Sequence, residues 1–177
     1  MQTPTALVSG PAREALLIAI HALELAGTAP AALKSKALSD VAHCYRALGA
    51  LAQAESYLQQ ALRWSRLVGA ADAAVDLLCE LSELAVEQAN AVAEDDERSA
   101  HRCREAARDL AFEAAQLACK AADPHWEVQV LLRVSEALDR CGDHGDAIAL
   151  QCRALNLLFE NERVLDDYPR TEAHPVM

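Results

Sequence analysis

Apolar positions recur along most of this chain at three- and four-residue steps, the period of an amphipathic helix rather than of a strand. The pattern is clearest over residues 37–62, ALSDVAHCYRALGALAQAESYLQQAL. Leu38, Val41, Ala42, Tyr45 and Leu48 make one stripe; Leu51, Ala54, Tyr57, Leu58, Ala61 and Leu62 make a second. Gly49 stands between them, where a helix stop belongs. The stretch therefore predicts two helices joined by a tight turn. Ala42, Ala54 and Ala61 are small enough to let the two cross closely.

Extending the same reading predicts seven helices, over residues 11–27, 30–48, 50–67, 71–94, 98–121, 124–141 and 144–160. Residues 1–10, with Pro4 and Gly10, read as a flexible lead-in, and residues 161–177 as an irregular tail. The breaks fall at Gly27, Gly49, Gly69, the acidic run Glu94-Asp95-Asp96-Glu97, Asp123-Pro124 and Gly142-Asp143. Asp123 followed by Pro124 is a helix cap with proline at the first helical position. The first helix is apolar on nearly every side, through Leu16, Leu17, Ile18, Ile20 and Leu23, which is expected of a helix covered on more than one face.

The stripes also repeat. Residues 66–84 align with 119–137, so that Leu78, Leu81 and Ser82 match Leu131, Val134 and Ser135, and both match Leu38, Val41 and Ala42. The small positions 42, 82 and 135 are 40 and 53 residues apart. A helical hairpin fits the first interval. The second needs about 13 more residues, which lengthened helices on either side of the acidic run supply.

Composition agrees with helices. Of 177 residues, 53% are hydrophobic but only 4% aromatic, so the apolar content is mostly alanine and leucine, strong helix formers. No alternating Val/Ile/Thr segment predicts a strand. The expected fold is all-α, a right-handed stack of antiparallel hairpins with one repeat domain over residues 11–160. Acidic residues outnumber basic ones by 27 to 16, for a net charge of −11, which argues against binding nucleic acid or an anionic membrane. The apolar run ALLIAI falls far short of the roughly 20 residues that span a bilayer. Six cysteines, at 44, 79, 103, 119, 141 and 152, form no CxxC pair and read as reduced, half-buried thiols of a cytoplasmic protein.

The repeated residues resemble the tetratricopeptide repeats, a family of helical hairpins with a large-then-small pattern in the first helix and alanines in the second. The matching positions are Leu38, Val41, Ala42, Tyr45, Gly49, Ala54, Leu58 and Ala61 in one unit. In the last unit they are Leu131, Val134, Ser135, Leu138, Gly142, Ala147, Gln151 and Ala154. The middle unit keeps Leu78, Leu81, Ser82 and Ala85 but has no following glycine. The resemblance spans residues 35–160, and its longer period is similar to repeats of bacterial signalling proteins.

In that family the first helix of each hairpin lines a concave groove. The resemblance thus implies a partner-binding face made of Lys36, Ser39, Asp40, His43 and Arg46, then Asp76, Glu80, Glu83 and Glu87, then Gln129, Arg133, Glu136 and Asp139 or Arg140. Such a groove is expected to be basic at one end and acidic at the other, orienting a protein or peptide partner. An ordinary solvated face carries the same pattern. The family's clamp for terminal carboxylates needs asparagines at these positions, and none is present.

Catalytic signals are lacking. His43-Cys44 and His101-x-Cys103 put neighbours on different faces of a helix, unlike helical zinc ligands. There is no GxGxxG, no GxxxxGK and no Glu-x-x-His of the di-iron type. The expectation is a non-enzymatic interaction module with no metal or cofactor, the alternative being a sensory domain that binds a small ligand and signals through its oligomeric state. Leu16, Leu17, Ile18 and Ile20 at one end, and Leu158 and Phe159 at the other, exceed what one neighbouring helix covers, which predicts a homodimer, the alternative being that the lead-in or the tail after Arg163 folds back as a cap.

Overall fold

The computed structural model describes residues 9–121 and 123–166, Ser9 and the last six of these by their backbone alone. Among the described residues seven α-helices follow one another: α1 (Ser9–Leu25), α2 (Ala31–Ala47), α3 (Leu51–Leu67), α4 (Ala71–Val92), α5 (Glu97–Ala118), α6 (Pro124–Cys141) and α7 (His144–Asp166). One 3-10 turn, Ala26–Thr28, links α1 to α2. Among the described residues there is no strand.

Short connections make consecutive helices antiparallel neighbours. The closest pairings are α2 with α3, α4 with α5 and α6 with α7, which are the three hairpins. The hairpins stack because α3 rests on α4 and α5 on α6, while α4 also touches α6 directly. Helices α2, α4 and α6 thus form an inner row, and α3, α5 and α7 an outer one. Helix α1 packs against α2.

The turns follow from local chemistry. Gly49, Gly69 and Gly142 have φ of 73°, 70° and 89°, a left-handed conformation that glycine adopts at little cost. After Gly49 the Ala50 N–H donates to the Tyr45 carbonyl at 2.9 Å, and after Gly142 the Asp143 N–H donates to the Leu138 carbonyl at 3.0 Å. Both close a Schellman end. The α4–α5 turn lacks glycine; there the Asp96 carboxylate accepts from the N–H groups of Arg98 and Ser99, capping α5. Asp123 caps α6 in the same way, with Pro124 at its first turn.

The core repeats with the hairpins. The aligned small residues Ala42, Ser82 and Ser135 are all buried, 1%, 1% and 2% exposed. Ser82 Oγ donates to the Ala107 carbonyl of α5 at 2.8 Å, and Ser35 Oγ to the Ala61 carbonyl of α3 at 2.9 Å. Each buried hydroxyl is thereby satisfied while its hairpin closes tightly. Leu58, Leu78, Leu84, Leu131 and Leu138 are the largest fully buried side chains. Burying each contributes about 1.5–3 kcal/mol. Tyr45 and Tyr57 stack at 5.4 Å between ring centres, closing the first hairpin near its turn.

Three expectations need correction. Residues 161–166 continue α7 instead of beginning an irregular tail, because Asn-Glu-Arg-Val-Leu-Asp holds neither glycine nor proline to stop the helix; the rest of that tail lies outside the described residues. Helix α1 starts at Ser9, inside the presumed lead-in, of which residues 1–8 lie outside the described ones. Its covering is also one-sided: Leu16 and Ile20 are partly covered, but Leu17 and Ile18 remain 69% and 65% exposed. Of the cysteines, Cys79 is buried and Cys152 exposed, with the other four between.

Candidate functional site

The inner row presents three parallel stripes of polar side chains. On α2 they are Lys36, Ser39, Asp40, His43 and Arg46; on α4, Asp76, Glu80, Glu83 and Glu87; on α6, Gln129, Arg133, Glu136 and Arg140. Spacing of four, three and four residues on α4 and α6, and three-residue steps from Lys36 to Ser39 and from Asp40 through His43 to Arg46 on α2, keep each set toward one side of its helix. The opposite face of each helix is held down by the core residues, which fixes how the stripes point.

Cross-helix contacts then organise the face around α4. His43 Nε2 lies 3.0 Å from Glu80 Oε2, and Ser39 Oγ donates to the same oxygen at 3.4 Å. Arg46 donates through Nε and Nη2 to Glu87 at 3.1 and 2.6 Å, and its Nη1 stands 3.5 Å from Glu83. From the other side Arg133 Nε donates to Glu83 at 2.6 Å, with its Nη1 3.9 Å from Asp76. Glu83 is therefore shared by arginines of both flanking helices. The expected division into a basic end and an acidic end does not occur. Instead an acidic central row is clasped on both sides, because the stacking brings α2 and α6 to α4 in register.

Protonation follows these contacts. The hydrogen bond to Glu80 raises the His43 pKa above 6.5, against the opposing effect of partial burial. Burial raises the Asp76 carboxyl above its ordinary value, only partly offset by Arg133. Beneath the row, burial pushes the Cys79 thiol up to about 12, so it is a poor nucleophile at neutral pH. Gln129 and Lys36 are exposed and flank the clasped centre, and Arg140 donates to Glu136 within α6 at 2.6 Å.

A hollow of about 370 Å³ opens between α2 and α4, lined by Lys36, Ser39, Asp40, His43, Asp76 and Glu80 together with the apolar Val68, Ala73 and Leu77. A second, of about 390 Å³, lies on the outer side between α3 and α5, bridged by Arg66 and Glu113 at 2.5 Å. Sequence periodicity placed the stripes, but not the sharing of Glu83. The available signal was the matching four-three-four spacing of Asp76–Glu87 and Gln129–Arg140. Among the described residues, no group of three or more His, Cys, Asp or Glu side chains is arranged to hold a metal ion. No described helix is long and apolar enough to cross a membrane.

No family model and no curated protein matches the chain. Among solved structures, it is similar to a chain of the DHF58 filament, with a TM-score of 0.48 and 23% identity over 88% of this chain and 82% of that one. It is also similar to BtubC (BKLC) from P. vanneervenii, with a TM-score of 0.40 and 17% identity over 96% of this chain and 81% of that one. Neither likeness bears on what this chain binds.

Proposed function

We propose that this chain is a non-enzymatic protein-interaction module, a tetratricopeptide-like stack that receives a peptide or helix of a partner along α2, α4 and α6, and that it works as a homodimer. The family reading draws support from the aligned positions: Leu38, Val41, Leu58, Leu131, Val134 and Leu138 all lie in the core, as a hairpin repeat requires. The observation that carries the interaction reading is the clasped inner row. Glu80, Glu83 and Glu87 are held by His43, Arg46 and Arg133, so the face is ordered before any partner arrives, which lowers the entropy lost on binding.

Acidic side chains exceed basic ones on this face, with Asp40, Asp76 and Glu136 the least engaged by neighbouring helices. A partner segment rich in Lys or Arg is the complementary choice. Replacing these three by Asp40→Asn, Asp76→Asn and Glu136→Gln removes charge without opening the clasp. Affinity capture from the source cell, comparing this triple variant with the wild type, should show a protein bound by the wild type and lost from the variant as salt rises. Equal capture by both, insensitive to salt, would move the site off the inner row. The alternative, a small-ligand sensor, draws on the hollow beside His43. It is the better reading if thermal-shift screening finds a small molecule whose stabilisation disappears with Asp76→Asn.

A further inference from the structure

We propose that the exposed face of α7 is the seam of the homodimer, pairing antiparallel with α7 of a second copy. This inference rests on the self-association read above and assigns it to one helix. Helix α7 carries two apolar stripes. Ala147, Leu150, Ala154 and Leu157 turn toward the rest of the molecule. The other stripe is Ile148, Cys152, Leu155 and Phe159, and all four are exposed, with Ile148, Leu155 and Phe159 at 58%, 51% and 60%.

The spacing of that second stripe is four, three and four residues, which reads the same in both directions. A helix laid antiparallel against its own copy about a two-fold axis therefore brings every member opposite another member. Ile148 meets the partner's Phe159, and Cys152 meets the partner's Leu155. This is the apolar seam of a coiled-coil pair, and the self-complementarity that a two-fold interface requires.

Charge favours the same face. The chain carries −11, so two copies repel unless they meet where charge is sparse. From Ala147 to Phe159 the one charged residue is Arg153, and its guanidinium is held by Glu127 of α6 at 2.8 Å. Helix α1 offers a poorer seam. Its exposed Leu17, Ile18 and Leu25 are interleaved with Glu14, His21 and Glu24, all exposed. Topology disfavours the head-to-tail alternative. With seven described helices alternating in direction, α1 and α7 run the same way, so end-to-end stacking would set them parallel. A two-fold pair keeps the antiparallel neighbours found throughout the chain.

Sedimentation equilibrium on the full chain at tens of micromolar tests the assignment. A dimer is expected. Leu155→Glu and Phe159→Glu should each raise its dissociation constant about 100-fold or more while leaving helicity intact, since each buries a charge in the seam. Ile18→Glu should leave the dimer in place. A cross-link gives an independent reading. Leu155→Cys sets a new thiol opposite the partner's Cys152, and a mild two-electron oxidant, accepting two electrons as the two thiols release their protons, should join the chains far more than in the wild type. A dimer lost with Ile18→Glu but untouched by both α7 changes would overturn the α7 seam and leave self-association standing. A wild-type chain that is monomeric would remove both. Growth beyond the dimer with concentration would replace the two-fold pair by an open stack.

Discussion

Helices α4 and α5 are the two halves of one hairpin and are both 22 residues long, yet they are built on opposite plans. Helix α4 buries eleven side chains, including Val75, Leu78, Leu81 and Leu84, and still presents Asp76, Glu80, Glu83 and Glu87 on its inner face. Helix α5 buries six, and every one is alanine: 100, 107, 111, 114, 115 and 118. One helix supplies the bulk and the other the close approach. The difference explains how a stack with so few aromatics still closes. Large residues of α4 fill the space left by the alanines of α5. It also explains why the candidate face lies on α4, whose core side is anchored firmly enough to hold a row of carboxylates in fixed positions.

The strongest way to break this comparison is to make α4 resemble α5. Leu78→Ala, at a position with no solvent exposure, should destabilise the chain by about 2–5 kcal/mol in chemical denaturation, since the surrounding helices cannot close the cavity. Next comes the reverse exchange. Ala111→Leu, also fully buried, should cost about 1–3 kcal/mol by forcing α4 and α5 apart. A loss much below 1 kcal/mol there would show that the alanine stripe does not set the hairpin spacing.

A smaller effect separates the charged rows. Glu83→Gln removes the carboxylate shared by Arg46 and Arg133 and should cost about 1 kcal/mol, because all three side chains are more than half buried. Glu113→Gln on α5 breaks a more exposed pair with Arg66 and should change stability by less than about 0.5 kcal/mol. Equal effects would mean that the inner row is no better organised than the outer surface.

A further small effect is a pH dependence. Glu80 raises the folded pKa of His43, so the folded state binds the proton more tightly than the unfolded one. That contribution is full below the unfolded value near 6.5 and is lost as pH rises through the raised folded pKa. With half of the ring in water it should stay below about 1 kcal/mol. Melting curves between pH 5 and 9, roughly the window in which a histidine titrates, should show the slope in the wild type and a weaker one in Glu80→Gln.

Much of this was legible in the chain itself. Gly49 and Gly142 mark their turns because the left-handed residue that ends a helix is a local requirement. Asp123-Pro124 marks a helix start for the same kind of reason. The lengthened middle hairpin followed from the interval between Ser82 and Ser135, because helices absorb extra residues along their axes. The polar stripes were legible too, since spacing of three and four residues places side chains on one face whatever surrounds them.

Other features were decided only in three dimensions. A periodic stripe says that a helix has an apolar face, but not how many neighbours the face meets. Periodicity marked Leu17 and Ile18 as more apolar surface than one neighbour covers; only the structure shows that these two are left exposed while Leu16 and Ile20 are partly covered. Likewise, sequence sorted the charges of α2, α4 and α6 by helix but could not rank their contacts. Whether Arg46 and Arg133 both reach Glu83 depends on the offset between stacked hairpins. That offset is set by which leucines fit against which alanines, a property of pairs of surfaces rather than of any segment. Local backbone preferences and side-chain periodicity fixed the helices and their ends; only the packing of helix against helix determined which polar residues became a site.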